Sequence, residues 1–241
     1  MRRAPLSGVP AAAFRGLGRQ YAFYAALCLL AAAFTVAVAP VSRRYFDLYY
    51  ASLPPLAVAV AAAALGGVAL WVLSRYGFAI IDGRASVRGI RLSALFATVM
   101  AAAIVVADVL LRYPRDLNVP LPQALLFYPA IGLTAEVVFH LLPLALLVPL
   151  LSVMAKRVGR QRVVWVAIAL VAVAEPTFQV LVGGSGSAWA DVYTWLHVFV
   201  IAALQLYVFR RFDFASMYAF RLIYYLYWHM AWGAIRIPLL F

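Results

Sequence analysis

The chain has 241 residues, of which 67% are hydrophobic and 12% are charged, and its formal net charge is +12. This composition excludes an ordinary soluble domain, because one interior of this size cannot enclose so many apolar side chains. The positive charge does not indicate nucleic-acid binding, because the basic residues are dispersed among the ends of apolar segments instead of lining one face. We therefore predict an integral membrane protein that does not bind nucleic acid.

Seven charge-poor segments are long enough to cross a membrane. A spanning helix needs about 20 mainly apolar residues, whereas a transmembrane barrel shows strands of about ten residues with alternating polarity. The apolar segments are continuous, so we predict an all-α polytopic bundle of about seven transmembrane helices in one domain, 1–241. The predicted spans are 21–39, 56–73, 92–111, 123–154, 163–181, 191–209 and 215–237.

Prolines mark several boundaries of these spans. Pro40 follows the first span and is expected to lie in a gap between helices. In the long segment 123–154, Pro129 is the expected helix start. Pro143 and Pro149 are expected to bend this helix without ending it, because lipid offers no other partner for the freed backbone groups.

Basic residues are concentrated at alternate boundaries, which determines the expected orientation. Because Lys and Arg are retained on the cytoplasmic side, the N-terminus is predicted to be cytoplasmic. The protein is then a multi-pass protein of the cell membrane, with membrane lipids as its first partners. The basic clusters precede span one and follow spans two, four and six: Arg2, Arg3, Arg15, Arg19; Arg75, Arg84, Arg88, Arg91; Lys156, Arg157, Arg160, Arg162; Arg210, Arg211.

Ionisable residues inside the spans are the candidates for function, because a charge near mid-bilayer costs at least about 2.5 kcal/mol. Glu136 and His140 are four residues apart and share one helix face. Glu175, His197 and His229 follow in the next three spans, at depths similar to that of Glu136. We predict that these acids and imidazoles converge on one site within spans four to seven.

A second interpretation is that each polar group makes a hydrogen bond of its own between helices, as is common in membrane bundles. His197 is the weakest candidate, because Asp191 and Trp195 place it near a membrane surface. Arg221 is interpreted as an interfacial or packing residue that reaches toward the inner boundary. The occurrence of five acids and imidazoles in four consecutive spans favours a shared site.

The site residues resemble motifs of the CAAX-protease and bacteriocin-processing family, a group of intramembrane endopeptidases. The segment from Ala135 to His140 is similar to the motif EExxxR, with Glu136 at the second glutamate and His140 at the arginine. The segment from His229 to Gly233 is similar to the motif HxxxN, with glycine at the asparagine position. Ala135 replaces the first glutamate, which the family uses to activate water.

The family's FxxxH motif has two alignments in this chain. It falls on Val171 to Glu175, with glutamate in place of histidine, or on Tyr193 to His197. The resemblance covers about residues 123–237 and implies an intramembrane endopeptidase. Its implied substrate is a membrane-embedded or lipidated peptide.

Three chemical interpretations follow from these residues. In the first, Glu136 takes a proton from water, while His140 and His229 orient the water or stabilise the oxyanion, and no cofactor is required. In the second, zinc, or iron or manganese, is held by the two carboxylates and three imidazoles. In the third, the bundle is non-catalytic: a pseudoenzyme, a scaffold, a chaperone or a transport-type protein. The metal set of the second interpretation is Glu136, His140, Glu175, His197 and His229.

Overall fold

Helices form almost all of the part of the chain described by the computed structural model, residues 11–183 and 187–241. Within these ranges no β-strand occurs, so the predicted all-α fold is confirmed. A single helical turn, Ala155–Val158, connects the fourth helix to the fifth. The helices are α1 (Ala11–Tyr50), α2 (Pro55–Ser74), α3 (Gly83–Leu111), α4 (Ala124–Ser152), α5 (Arg160–Gly183), α6 (Ala188–Arg211) and α7 (214–240).

Six helices of the described ranges, α1 to α6, are long and apolar enough to cross a membrane. Large apolar side chains remain exposed along them, for example Leu29, Leu110 and Leu146, as expected where lipid is the solvent. The chain is therefore a multi-pass membrane protein. Helix α7 is not in this group, and the seventh span stays a prediction.

The predicted boundary at Pro40 is wrong, because α1 continues through Pro40 to Tyr50. A proline removes one backbone hydrogen bond and bends a helix without necessarily ending it. The bend is at Ser42, whose dihedral angles (φ −123°, ψ 19°) are not helical. The chain beyond this bend still belongs to the bundle, because Phe46 is fully buried.

The predicted start of the fourth helix at Pro129 is also wrong. Helix α4 begins at Ala124, and Pro129 lies inside its first segment. Pro143 and Pro149 lie inside the same helix without ending it, as predicted. A π-helical segment, Glu136–Leu141, interrupts the α-helical geometry of α4.

Helices α3 and α7 pack closely at the end of the bundle where α7 begins. Asp213 is buried and caps α7 by accepting a hydrogen bond from the backbone N–H of Ser216 at 2.8 Å. It also accepts hydrogen bonds from the Ser86 hydroxyl and, at 2.9 Å, from the Asp82 backbone N–H, which joins it to the start of α3. Gly89 allows this approach, because a Cβ at this position would clash with the Ser216 side chain.

A buried ion pair holds the opposite end of α3 to the end of α7. The Arg236 guanidinium donates to both carboxylate oxygens of Asp108, at 2.7 and 2.8 Å, and neither side chain is exposed. The Trp232 indole donates to Asp108 at 2.7 Å, and Arg236 also donates to the Tyr113 carbonyl at 2.7 Å. With both of its ends fixed to α3, α7 presents its middle to α4, α5 and α6.

Candidate functional site

Three helices are irregular at the same place, where the buried ionisable residues meet. The π-helical segment of α4 begins at Glu136. Helix α5 breaks after Val171 and resumes at Ala174, directly before Glu175. Helix α7 has a second π-helical segment, Leu226–Trp232, about one turn after Arg221. Such irregular segments in helices often occur at functional sites, so this is the candidate site.

Glu136 and His140 form a buried pair inside the π-helical segment of α4. The Glu136 Oε2 lies 2.6 Å from the His140 Nδ1, and neither side chain is exposed. Because an ionised carboxylate can only accept hydrogen bonds, Nδ1 is the protonated nitrogen of this contact. The pair is therefore a carboxylate that orients an imidazole, with Nε2 directed away from it.

The His140 Nε2 is a buried nitrogen without a hydrogen-bond partner in the described structure. Its nearest acidic neighbour is the Glu175 Oε2, 3.4 Å away, where the geometry is not that of a hydrogen bond. Buried polar atoms are nearly always paired, so an unpaired one needs an explanation. This nitrogen is the group of the cluster that is free to bind something else.

Arg221 lies between the two carboxylates and bonds to both. Its Nε donates to the Glu136 Oε1 at 2.6 Å, and its two terminal nitrogens donate to Glu175 at 2.9 and 2.8 Å. Arginine forms such forked, charge-assisted bonds more readily than lysine does. Gly132 of α4 packs against this group, because a Cβ there would lie 3.3 Å from the Tyr225 ring and 3.4 Å from the Arg221 Cδ.

Neutral side chains complete the hydrogen bonds of this cluster. The Gln205 amide of α6 donates to the Glu136 Oε1 at 2.5 Å. The Gln179 amide, one turn after Glu175 on α5, donates to the Glu175 Oε1 at 3.4 Å. Arg221 donates to the Tyr225 hydroxyl at 3.1 Å. Helices α4, α5, α6 and α7 therefore all contribute to one polar network.

The charges of the network are almost balanced. Glu136 and Glu175 contribute two negative charges, and Arg221 contributes one positive charge. With His140 protonated, the four side chains carry no net charge, and with His140 neutral they carry one negative charge. The net charge of the cluster therefore depends on whether the His140 imidazole carries one proton or two.

The structure brings together three of the five predicted site residues, Glu136, His140 and Glu175. His197 lies apart from them, and its Nε2 is 3.1 Å from the Tyr224 hydroxyl while its ring stacks on Tyr193. The predicted convergence of all five groups therefore does not include His197. Sequence spacing gives the depth of a residue in the membrane but not the side of its helix that faces the bundle centre.

His229 also lies outside the ion-paired cluster, although it is connected to it. Its Nδ1 is 3.0 Å from the Asn118 Oδ1, and its ring stacks on Tyr128 at 4.5 Å between ring centroids. Tyr225 contacts the edge of the same imidazole, at 4.9 Å, and accepts the hydrogen bond from Arg221. One tyrosine therefore separates His229 from the cluster.

A cavity of about 200 Å³ is lined in part by Asn118, Met230 and Gly233. The Asn118 amide nitrogen has no hydrogen-bond partner in the described structure. A Cβ at Gly233 would lie 2.7 Å from this nitrogen, so the glycine makes room for the asparagine side chain. The cavity is thus lined by a residue whose amide nitrogen is unpaired and whose amide oxygen contacts His229.

The interpretation of Arg221 as an interfacial residue is wrong, because Arg221 is 4% exposed and holds both carboxylates. Gln205 was not among the predicted site residues. The signal for Arg221 was present in the sequence, because two carboxylates buried in lipid require a positive charge nearby. Gln205 gave no comparable signal, since an amide in a span is often only a packing residue.

The donor set does not favour a metal ion at the cluster. No group of three or more His, Cys, Asp or Glu side chains in the described ranges is arranged to hold a metal ion. Three of the four carboxylate oxygens of Glu136 and Glu175 already accept from Arg221, whose positive charge would repel a cation. Zinc at this site, or iron or manganese, therefore stays a prediction to be tested by elemental analysis.

The chain matches no protein-family model, no curated protein and no solved structure. The resemblance to intramembrane endopeptidases therefore rests on the motif residues alone, and the family stays a prediction.

Proposed function

We propose that the protein is an intramembrane hydrolase of the cell membrane, in which the Glu136–His140 pair activates water. The observation that carries the proposal is the buried 2.6 Å contact between the Glu136 Oε2 and the His140 Nδ1, together with the unpaired Nε2 of the same imidazole. A carboxylate at one imidazole nitrogen fixes the tautomer, and the other nitrogen then accepts a proton.

The roles of the two residues differ from those expected from the sequence. Arg221 and Gln205 both bond to the Glu136 Oε1, and His140 occupies the Oε2. Glu136 is therefore a positioning residue, and the His140 Nε2 is the general base. In the proposed step, Nε2 takes a proton from water while the hydroxide attacks the substrate carbonyl. The tetrahedral intermediate then breaks its C–N bond, and the protonated Nε2 returns the proton to the leaving amine.

The surroundings of His229 support the resemblance to the endopeptidase family. Gly233 stands at the asparagine position of the HxxxN motif, and the Asn118 side chain fills the space beside that glycine. The Asn118 Oδ1 lies 3.0 Å from the His229 Nδ1. A histidine and an asparagine, the two residue types of the HxxxN motif, are therefore in contact here.

Access to the cluster requires a movement, because Glu136 and His140 are fully enclosed. We propose that the second half of α5, Ala174–Gly183, is the segment that moves. Glu175 and Pro176 are its buried residues, and Gln179, which bonds to Glu175, is already exposed. Displacement of this half-helix would admit water and an extended peptide. The proposed substrate is the one that the family resemblance implies, a membrane-embedded or lipidated peptide.

The test uses the purified protein in liposomes of phosphatidylethanolamine and phosphatidylglycerol, with a library of membrane-anchored and farnesylated peptides. Cleavage is followed by mass spectrometry. His140→Gln should lower the cleavage rate by about 10² or more, because a general base is lost. His197→Gln removes a buried imidazole outside the cluster and should retain the rate. Equal cleavage by wild type and His140→Gln would refute the proposal.

A non-catalytic helix clamp is the second candidate function. It is favoured by one observation, that every carboxylate oxygen of Glu136 and Glu175 has a polar partner within 3.5 Å. A scaffold or transport-type protein would need this network only to hold α4, α5, α6 and α7 together. If no peptide of the library is cleaved and His140→Gln only lowers the unfolding temperature, this candidate replaces the first.

A further inference from the structure

Three arginines surround a pocket of about 550 Å³ at one end of the bundle. Arg75 follows α2, Arg160 begins α5, and Arg210 lies in the last turn of α6. The sequence places all three in clusters predicted to be cytoplasmic. Gln161 also lines the pocket, and no acidic side chain of the described residues does.

The three guanidinium groups are held in place by neighbouring groups. Arg160 donates to the Arg75 carbonyl at 2.5 Å. Arg210 donates to the Gly77 carbonyl at 3.1 Å and to the Gln161 side chain at 3.0 Å. The Arg75 guanidinium lies over the Trp71 ring, 3.7 Å from its centroid. The arginines are therefore arranged before any ligand binds, which lowers the entropy lost on binding.

The positive charge of the pocket is not compensated by the described part of the protein. Among the described residues, the arginines that form ion pairs are Arg43, Arg221 and Arg236, and none of them lines the pocket. Arg160 and Arg210 are close enough for their charges to repel. An anion with several oxygen acceptors would remove this repulsion, and guanidinium groups match the geometry of phosphate oxygens.

We propose that this arginine pocket binds a phosphate group, carried by the headgroup of an anionic lipid. Helices α2 and α6 are apolar enough to span the membrane and both end at the pocket, so a lipid headgroup lies at the same level. Trp71 is 50% exposed one turn deeper in α2, where an aromatic ring can contact the lipid below its headgroup. The site does not depend on the proposed hydrolase activity.

The experiment measures the thermal unfolding of the detergent-purified protein at constant ionic strength. The probes are dioctanoyl phosphatidylglycerol, dioctanoylglycerol, which lacks the phosphate, and inorganic phosphate. The wild-type unfolding temperature should rise with dioctanoyl phosphatidylglycerol and not with dioctanoylglycerol. Arg75→Gln and Arg160→Gln should each weaken the apparent affinity by about tenfold, because each removes charge-assisted hydrogen bonds.

The matched control is the triple variant Arg84→Gln/Arg88→Gln/Arg91→Gln, which removes more charge outside the pocket and should bind as the wild type does. Arg75 is exposed, so Arg75→Gln tests the site without disturbing the core. If inorganic phosphate raises the unfolding temperature of the wild type but not that of Arg160→Gln, the pocket binds phosphate. The natural ligand would then be a soluble anion instead of a lipid headgroup. Equal weakening by the control triple, or unchanged binding by both pocket variants, would overturn the proposal.

Discussion

The guanidinium of Arg221 donates to both carboxylate oxygens of Glu175, at 2.9 and 2.8 Å, although 46 residues separate the two in sequence. Its Nε donates to Glu136 at 2.6 Å. One buried cation therefore joins α7 to both α4 and α5. Breaking a buried ion pair by removing one partner is far more destabilising than losing an exposed pair.

Arg221→Gln is therefore expected to lower the free energy of unfolding by about 3–5 kcal/mol, because two carboxylates remain buried without a guanidinium. The measurement is thermal or denaturant unfolding of the protein in detergent. Arg211→Gln, at an exposed position on α6, is the control and should change the stability little. A wild-type unfolding temperature in Arg221→Gln would show that the network does not stabilise the bundle.

The double variant Glu175→Met/Arg221→Met tests whether charge balance is the reason for this loss. It removes one negative and one positive charge together, so Glu136 can be balanced by a protonated His140. We expect the double variant to be more stable than Arg221→Met alone, because buried ion pairs can be replaced by apolar groups at small net cost. A double variant that is less stable than both single variants would contradict this explanation.

The membrane-spanning helices were predictable because lipid imposes a minimum apolar length on each of them. Segment 56–73 was predicted and Pro55–Ser74 is helical. The ends were less predictable where helices continue beyond the apolar core. Helix α3 begins at Gly83 instead of residue 92, since its first turns are polar and do not contribute to an apolar pattern.

The ionisable residues of the site were predictable, but their arrangement was only partly so. Glu136, His140 and Glu175 share one signal, an ionisable side chain in an apolar span, which is energetically unfavourable in lipid. In the structure these three side chains lie next to each other. His197 shows the same signal but faces Tyr224, because one sequence does not determine the rotation of α6 about its axis. The π-helical segment at Glu136 was not predictable either, because no sequence pattern marks such a segment. It also changes the rotation of the residues that follow it about the helix axis.

Gly66 and Gly67 of α2 provide a matched pair for testing helix packing. A Cβ at Gly66 would meet the Tyr24 hydroxyl and lie 2.7 Å from a Val137 methyl carbon, whereas a Cβ at Gly67 has its nearest neighbour at 3.7 Å. Gly66→Ala should therefore cost about 1–3 kcal/mol of stability through overpacking. Gly67→Ala should be neutral or slightly stabilising, since alanine favours helix. Equal unfolding temperatures for the two variants would contradict the close packing of α1, α2 and α4.

Elemental analysis of the detergent-purified protein separates the metal interpretation from the metal-free one. Because Arg221 already occupies the carboxylates, we expect no stoichiometric zinc, iron or manganese after dialysis against a weak chelator. The same analysis of His140→Ala is the control. One equivalent of metal in the wild type that is lost in His140→Ala would establish the metal interpretation and remove the proposed role of a free Nε2.

The proposed movement of Ala174–Gly183 can be tested by removing the hydrogen bond between this half-helix and α6. The Trp195 indole donates to the Thr177 hydroxyl at 3.2 Å, so Thr177→Val should loosen the half-helix. Cys28 is the single cysteine of the chain, and Cys28→Ala provides a background for introduced cysteines. Ala172→Cys, buried at the break of α5, should react with a maleimide several-fold faster when Thr177→Val is present, because local opening exposes it.

The control for this opening is Ala167→Cys, a fully buried position in the first half of α5. Its rate of labelling should be the same with and without Thr177→Val, since the first half of α5 is packed against α4. Faster labelling at both positions would mean that Thr177→Val destabilises the whole bundle. No change at either position would mean that the half-helix is not a movable cover, and substrate entry from that side would be rejected.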